Sequence, residues 1–587
     1  EDVYGYDFVS RFKGGVERVQ YGGVSEESII TGSGIQEIYV GGRAFNNTLS
    51  SGGTQQVNSG GIAYRTKISS GGIMNVSGEA FEAAVSEGGN MTVLSGGTSE
   101  NTTLSGGIMT VSRDAAAKST IINSGTQNVF GKDYNASVNG GSQIIKGGGE
   151  ASGTVVTGNG IQIVEKDGNA SGVTVKSGGR QQVFGQAEGT VAAKGGTIEL
   201  ENGAKAVSTR VNGGDIYVRK GAEAQNTSIK YGTENVEGIS RNAAVNAFGF
   251  QNVLSGGETF GTRINFWGTQ NVQAGGTASA GLINFGGVQN VYGIAADTVV
   301  SGGRQNVRNG GMAVATGVNG GILTVYDGGT AKDAKLKNGW LILNSGGALQ
   351  GKTTASNGII TIAGDNSIPH LELDKTLVNV NYRAKHTTLQ IGRLDGSGTF
   401  NMTSNLSGGT ADTINVNGGD GNFGLIIHDY SMGVAPSQYK IIDEALNAHD
   451  NFYLVGGGVD VGAFRYKLEQ ENNDWYLVRT GQLSDTSYVA KNTHSSLSSL
   501  FYSHLNPVFN SLRVGHKAAE HDSGLWVKGL GRKIKFHFKD KTHSSLEIYG
   551  SAIGFDHEVW HNESSHVKVG VYTGYTDTRQ KYARAGR

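Results

Sequence analysis

The run "GGALQGKT" at residues 346–353 places Gly346, Gly351, Lys352 and Thr353 at the spacing of a phosphate-binding loop. In that chemistry glycine-rich backbone amides cradle the phosphates, a lysine neutralises their charge, and a hydroxyl reaches magnesium. The device works only where a helix follows, because the helix N-terminus aims its amides at the anion. Here the continuation is "TASNGIITIAG", a short alternating strand with a glycine corner. The match therefore reads as an accident of glycine-rich corners, and Lys352 as an ordinary exposed side chain. "GGDGNFGL" at 418–425 occurs once, whereas calcium-binding nonapeptide arrays need tandem copies with a correctly placed aspartate. Asn-x-Thr sequons such as those at Asn90 and Asn101 follow from a composition rich in Asn, Ser and Thr.

Acid–base chemistry is equally thin. No histidine precedes His370, and cysteine is absent from all 587 residues. That leaves the repeats without the commonest general base, and the chain without thiolate nucleophiles, thiolate metal sites and disulfides. Carboxylates such as Glu100, Glu165, Asp215 and Glu258 fall at different phases of the chain's repeat. A glycosidase or lyase would instead gather acidic and basic groups on one face. We expect no catalytic residue, no cofactor and no metal ligand. An enzyme acting on polysaccharide or lipid is the competing reading.

The elements that carry these residues are repeated. Glycine numbers 96, proline only 3, and hydrophobic residues make up 37%. A disordered glycine-rich linker would hold fewer apolar residues, and collagen would need proline and a three-residue period. The net charge of −1 gives no bulk attraction to nucleic acid. No uninterrupted apolar run reaches 18 residues, and no charged-then-apolar leader opens the chain at Glu1. Short strands ending on an apolar residue recur at Val19, Ile38, Val57 and Val76, and onward through Val291, Val307, Val325, Leu343 and Ile362. The step is about 18 residues, which marks a solenoid. A second strand lies between marks, as in "NNTLSSGG" at 46–53. Each unit thus reads as strand, Gly-Gly turn, strand, Gly-Gly turn. Strands of three to five residues are marginal alone, so equivalent strands must stack. The expected fold is all-β, a right-handed parallel β-helix of about twenty turns and roughly 95 Å. Polar residues such as Gln55, Asn128 and Gln270 are expected to point outward or to ladder with their neighbours.

Past Ile362 the texture changes. "GSGTFNMTSNLSGGTADTINV" is followed by "VDVGAFRYKL" and then "DWYLV". These stretches resemble the C-terminal autochaperone region of autotransporter passenger domains. The repeats before them resemble the subfamily named for the adhesin involved in diffuse adherence, and the likeness covers residues 14–481. The resemblance implies an autochaperone motif at Val459, Asp460, Gly462, Phe464, Tyr466, Trp475 and Tyr476. Val489, Leu497, Leu500, Phe501, Leu505, Val508, Phe509 and Leu512 follow at largely helical spacing. They match the linker helix that threads the translocator pore in such proteins. "GLWVKGLGRKIKF", "SLEIYGSAIGFDHEVW" and "HVKVGVYTGYTD" alternate as outer-membrane barrel strands do.

The expected domains are 1–365, passenger repeats; 366–481, irregular solenoid end and pertactin-like cap; 482–520, linker helix; and 521–587, the first strands of an incomplete barrel. Such translocators close with about a dozen strands, consistent with the even-numbered barrels of bacterial outer membranes. Three strands cannot close without leaving backbone groups unpaired in lipid, so a fragment or a truncated, non-functional product is expected. The resemblance implies a barrel in the cell outer membrane and a passenger on the cell surface. It implies adhesion, self-association, autoaggregation and biofilm formation. The implied partners are other copies of the passenger, host or abiotic surfaces, outer-membrane insertion machinery and a sugar transferase, with no nucleic acid. Related passengers are glycosylated on Ser and Thr, which singles out the corner serines Ser51, Ser59, Ser95, Ser105, Ser255 and Ser301. Turn chemistry alone also accounts for serine beside glycine.

Overall fold

The computed structural model describes residues 1–381, 386–488, 490, 523–537, 543–562 and 565–583. From the N-terminus the chain is a parallel β-solenoid of about 22 turns. The apolar marks stack in register: Ile38 pairs with Val57, Val57 with Val76, and Leu343 with Ile362. Each of these is fully buried. Parallel pairing runs on beyond them, with Ile362 opposite Val380 and Val378 opposite Phe400.

Each turn has three strands, not the two that the sequence suggests. In one turn these are Thr54–Val57, Ile62–Tyr64 and Lys67–Ile68. The strand read between marks at 46–53 is the third-face one, Thr48–Leu49, and the face that the sequence alone did not reveal is the second, whose inward residue is small, as Ala63 is. The corner between second and third faces is also not a glycine pair. It is a single residue in the left-handed region, such as Asn46 (φ 57), Arg65 (φ 52) or Glu82 (φ 55). Its amide is used by the stack, as Asn46 N–H donates to Tyr64 O and Arg65 N–H to Phe81 O. That bond helps hold a conformation that non-glycine residues otherwise avoid. Glycine is required where turns approach most closely: a Cβ on Gly53 would lie 2.1 Å from Ile30 O.

The core has a division of labour. The second face points small residues inward, as in the register Ala44, Ala63, Ala80. That leaves room for long side chains from the first face, where a column of glutamines runs through the interior. Gln55 and Gln270 are fully buried, so they ladder but do not point outward. Asn128 does face out, half-buried. Each interior amide donates to the preceding turn: Gln55 Nε2 to Gln36 Oε1 at 2.6 Å, Gln162 to Gln143 at 2.7 Å, Gln289 to Gln270 at 2.6 Å. Apolar residues interrupt the column at Met74, Met91 and Met109, then at Ile198 and Ile216, and finally at Leu323 and Leu341.

Each glutamine block meets a buried carboxyl, at its N-terminal end in the first and last blocks and one turn inside it in the middle block, whose first amide, Gln127 Nε2, donates to Thr120 Oγ1. Gln36 Nε2 donates to Glu17 Oε2 at 2.6 Å, and Gln251 Nε2 to Glu234 Oε2 at 2.6 Å. In the middle block Gln143 Nε2 donates to Asp133, which replaces alanine on the second face. Burial is the main cause that pushes Glu17 and Asp133 up to about 7, against the lowering effect of the amide donors. Glu234 is raised for the same reason.

Beyond residue 452 a separate compact unit holds 453–587 together with 403–411 and 427–441. It contains the antiparallel hairpin Phe464–Glu471 with Asp474–Leu483, and Val459–Val461 against the first of these. The strands Ser523–His537, His543–Asn562 and Ser565–Ala583 pair antiparallel. The linker-helix expectation over 482–520 falls almost wholly outside the described residues. Among the described residues no helix is long and apolar enough to cross a membrane, which says nothing of a β-barrel.

Candidate functional site: the exposed corners and the pertactin-type region

The phosphate-loop lookalike folds as strand. Ala348–Gln350 and Lys352–Ser356 flank Gly351, and no helix follows Lys352. Lys352 pairs with Glu372, its amide N–H donates to Asp333 Oδ1 at 3.0 Å, and Thr353 is buried. "GGDGNFGL" lies in and before the strand Gly419–Asp429.

The six serines singled out by sequence are all exposed, but on two different edges. Ser59, Ser95 and Ser255 follow the first-face strands Thr54–Val57, Asn90–Val93 and Phe250–Val253. Ser51 follows the third-face strand Thr48–Leu49, while Ser105 and Ser301 lie at the ends of equivalent third-face segments. Along that edge Ser51 N–H donates to Ser70 O at 2.8 Å, so equivalent hydroxyls recur at the spacing of the stack. The chemistry offered is a row of solvent-facing hydroxyls.

The residues expected to form an autochaperone motif lie in or beside the strands Val459–Val461, Phe464–Glu471 and Asp474–Leu483. Val459 lies opposite Tyr466, Gln470 opposite Trp475, and Glu469 opposite Tyr476. Tyr466 is 1% exposed, and its Oη donates to Pro436 O at 2.6 Å. Asp460 Oδ2 accepts from Asp485 N–H at 2.5 Å, and Arg465 stands 3.5 Å from its other oxygen. Gly462 sits at φ 53, and its carbonyl accepts from Ser484 Oγ at 2.8 Å. Arg479 lies over the Phe464 ring at 5.0 Å, and Tyr476 Oη donates to Asp474. Tyr466→Phe is expected to destabilise this sheet by about 1 kcal/mol, through loss of the hydrogen bond from its buried ring to the Pro436 carbonyl. Urea unfolding followed by Trp475 fluorescence would register the loss, and an unchanged midpoint would refute it.

Two features escaped the sequence reading. One is the set of interior carboxyls. The other is a group of exposed aromatic residues on the edge between third and first faces, including Tyr231, Phe248 and Trp267. Both show only when the repeats are aligned column by column.

The described fold is a parallel solenoid and, in a separate unit, antiparallel hairpins, and the sequence comparisons set the chain beside autotransporters. Residues 368–479 match the family model described as Pertactin. The autotransporter CRAC of Citrobacter rodentium is 27% identical over 40% of this chain and 17% of that protein. The autotransporter adhesin/invasin TibA of Escherichia coli O78:H11 is 35% identical over 19% of this chain and 12% of that protein. The chain thus spans less than a fifth of either relative's length. A crystal structure of the TibC-catalyzed hyper-glycosylated TibA55-350 fragment is 30% identical, covers 56% of this chain and 99% of that fragment, with a TM-score of 0.26. The relatives matched are autotransporters, and residues 368–479 carry the pertactin-type match. Within that class the chain is similar to adhesins of the TibA kind.

Proposed function

We propose that this chain is the surface-displayed passenger of an autotransporter adhesin, exported through an outer-membrane barrel to which 523–583 contributes strands. It acts by binding: to surfaces, and to other copies of itself in autoaggregation and biofilm. The observation that carries this reading is repetition, since the rod offers the same exposed corner chemistry at each turn. Individually weak contacts spaced along a rod gain by avidity. A net charge of −1 lets like rods approach.

The pertactin-type sheet, with Val459, Asp460, Gly462, Phe464, Tyr466, Trp475 and Tyr476, acts as the autochaperone region. Formed first, it templates the turns of 1–365 one by one, because in a solenoid each turn contacts only its neighbours. The corner serines Ser51, Ser59, Ser95, Ser105, Ser255 and Ser301 are acceptors for a dedicated sugar transferase. Their exposure supports that assignment. So does the 35% sequence identity with TibA, a fragment of which is hyper-glycosylated. Outer-membrane insertion machinery is the remaining partner.

The test is to express the full-length gene in non-clumping cells. Settling and surface attachment are expected to rise at least tenfold over the empty vector. Unchanged settling and attachment would sink the reading, as would hydrolysis of a polysaccharide or lipid by the purified passenger, which would favour the enzyme.

A further inference from the structure

On the edge where the third face turns into the first, most turns place a glycine in the left-handed region two residues before the first-face strand. Gly52 (φ 93) and Gly71 (φ 76) do so near the N-terminus, and Gly213 (φ 83), Gly286 (φ 72) and Gly302 (φ 78) do so nearer the middle. Three consecutive turns depart from this. Tyr231 (φ 55), Phe248 (φ 54) and Trp267 (φ 59) occupy the same position. A bulky side chain is strained in that conformation, and strain of this kind collects where a surface has work to do.

The rings are not used to fill the core. Tyr231 is 55% exposed, Trp267 54% and Phe285 72%, and Phe248, Phe250 and Phe266 are nearly half exposed. They form one ridge. Tyr231 stacks on Phe248 at 5.9 Å, Phe248 meets Trp267 at 4.9 Å, Trp267 meets Phe266 at 4.4 Å, and Phe266 stacks on Phe285 at 6.0 Å. Half the surface of six aromatic side chains is roughly 600 Å². That exceeds the scattered apolar exposure of an ordinary surface and approaches the ~800 Å² that each partner contributes to a standard interface.

We propose that this aromatic ridge is the contact through which two copies of the chain associate. The proposal rests on the self-association reading above and adds its site. Three observations favour a second copy as the occupant. The rings recur once per turn, at the ~4.8 Å rise of stacked strands, and a partner that matches this period along its length is another parallel solenoid. The rings themselves carry no charge, and the cation beside them, Lys230 Nζ at 5.1 Å from the Tyr231 centroid, stands at one end of the ridge, as the charges of an interface stand at its rim. A chain of net charge −1 does not repel its copy.

Two variants of the full-length protein displayed on cells test it. Tyr231→Gly, Phe248→Gly and Trp267→Gly together restore the glycine corner of the adjoining turns, so folding is favoured and strain removed. Clumping of cells carrying this triple variant is expected to fall at least tenfold at equal display. The chain has no cysteine, so Trp267→Cys supplies a single thiol on the ridge and Glu258→Cys one on the exposed second face. On mild oxidation the first is expected to form disulfide-linked dimers between cells and the second is not. Normal clumping of the triple variant would overturn the ridge while leaving self-association intact. Failure of the parent to clump would overturn both. If the triple variant clumps normally but loses attachment to host cells, the ridge binds a foreign surface and the proposal is wrong.

Discussion

Lowering the pH from 7.5 to 5 is expected to raise the passenger's urea midpoint, and the variant Glu17→Gln/Asp133→Asn/Glu234→Gln should keep only the part of the gain that comes from Asp450. The sign follows from where the protons sit. Each carboxyl is buried against an amide donor of the glutamine column. Burial raises Glu17 from 4.5 to about 7 and Asp133 from 3.8 to about 7. Between those limits the unfolded chain has released its proton and the folded chain has kept it. Stability is therefore fully present below the unfolded value and is lost as pH rises through the folded one. A difference of that size between folded and unfolded chain corresponds to about 3–4 kcal/mol at each site. Glu234 acts in the same direction.

Other groups face these carboxyls and set the background. Asp7 raises Glu17 further, while Ser25 supports its charged form. Gln127, Gln143, Thr120 and the Tyr134 amide face Asp133. Gln251, Thr227 and Ser240 face Glu234. Asp450, raised to about 7 chiefly by burial and next by Glu444, titrates in the same window. Asp450→Asn is therefore the control that separates the pertactin-type region from the rod. Hydrogen exchange should localise the acid-strengthened amides to the strands Val16–Val19, Lys132–Tyr134 and Thr233–Val236. A pH-independent midpoint in the parent, or an equal slope in the triple variant, would end the argument.

What could be read from sequence here was what repeats with a large apolar side chain. Val57, Val76 and their partners are the marks that make the period visible, and they do fill the coil. The second face was hidden because its inward residues are small, Ala44, Ala63 and Ala80 in register, too weak an apolar signal to register as a strand. Gln55 misled for a different reason. A glutamine is usually a surface residue because burying an unpaired amide is costly. Stacked on Gln36 and bonded to Thr66, its amide is satisfied inside. Asp133 looked like one more scattered carboxylate, and only its register with Ala117 and Ala151 shows that it points inward. Trp267 could have been noticed, since it stands where Gly286 stands one turn later.

Replacing Gln270, Gln289 and Gln305 together by leucine is expected to cost no more stability than replacing Gln270 alone. In the parent Gln270 Nε2 donates to Gln251 Oε1 at 2.7 Å, and Gln270 Oε1 accepts from Gln289 Nε2 at 2.6 Å. Gln270→Leu leaves the Gln289 amide buried without that acceptor. An orphaned buried donor costs about 1–3 kcal/mol, beyond the bonds lost with the side chain itself. The triple change leaves one orphan as well, the buried Thr316 hydroxyl that had donated to Gln305, and no more, because it shortens the column from its C-terminal end. Gln305 Oε1 is capped by Thr316 Oγ1 at 2.9 Å, and Gln251 Oε1 already accepts from Thr262 Oγ1 at 3.1 Å. The column then simply ends at Gln251, and leucine continues the interior as it does at Leu323 and Leu341. Neighbours that share one network are expected to be non-additive in this way. The measurement is the urea midpoint of parent, single and triple variants at pH 5, well below the values near 7 of Glu17 and Asp133. Additive losses would mean that each glutamine stabilises the rod by itself. A triple variant at least as stable as the single would show that the column acts as one hydrogen-bonded unit whose ends, rather than its length, must be satisfied.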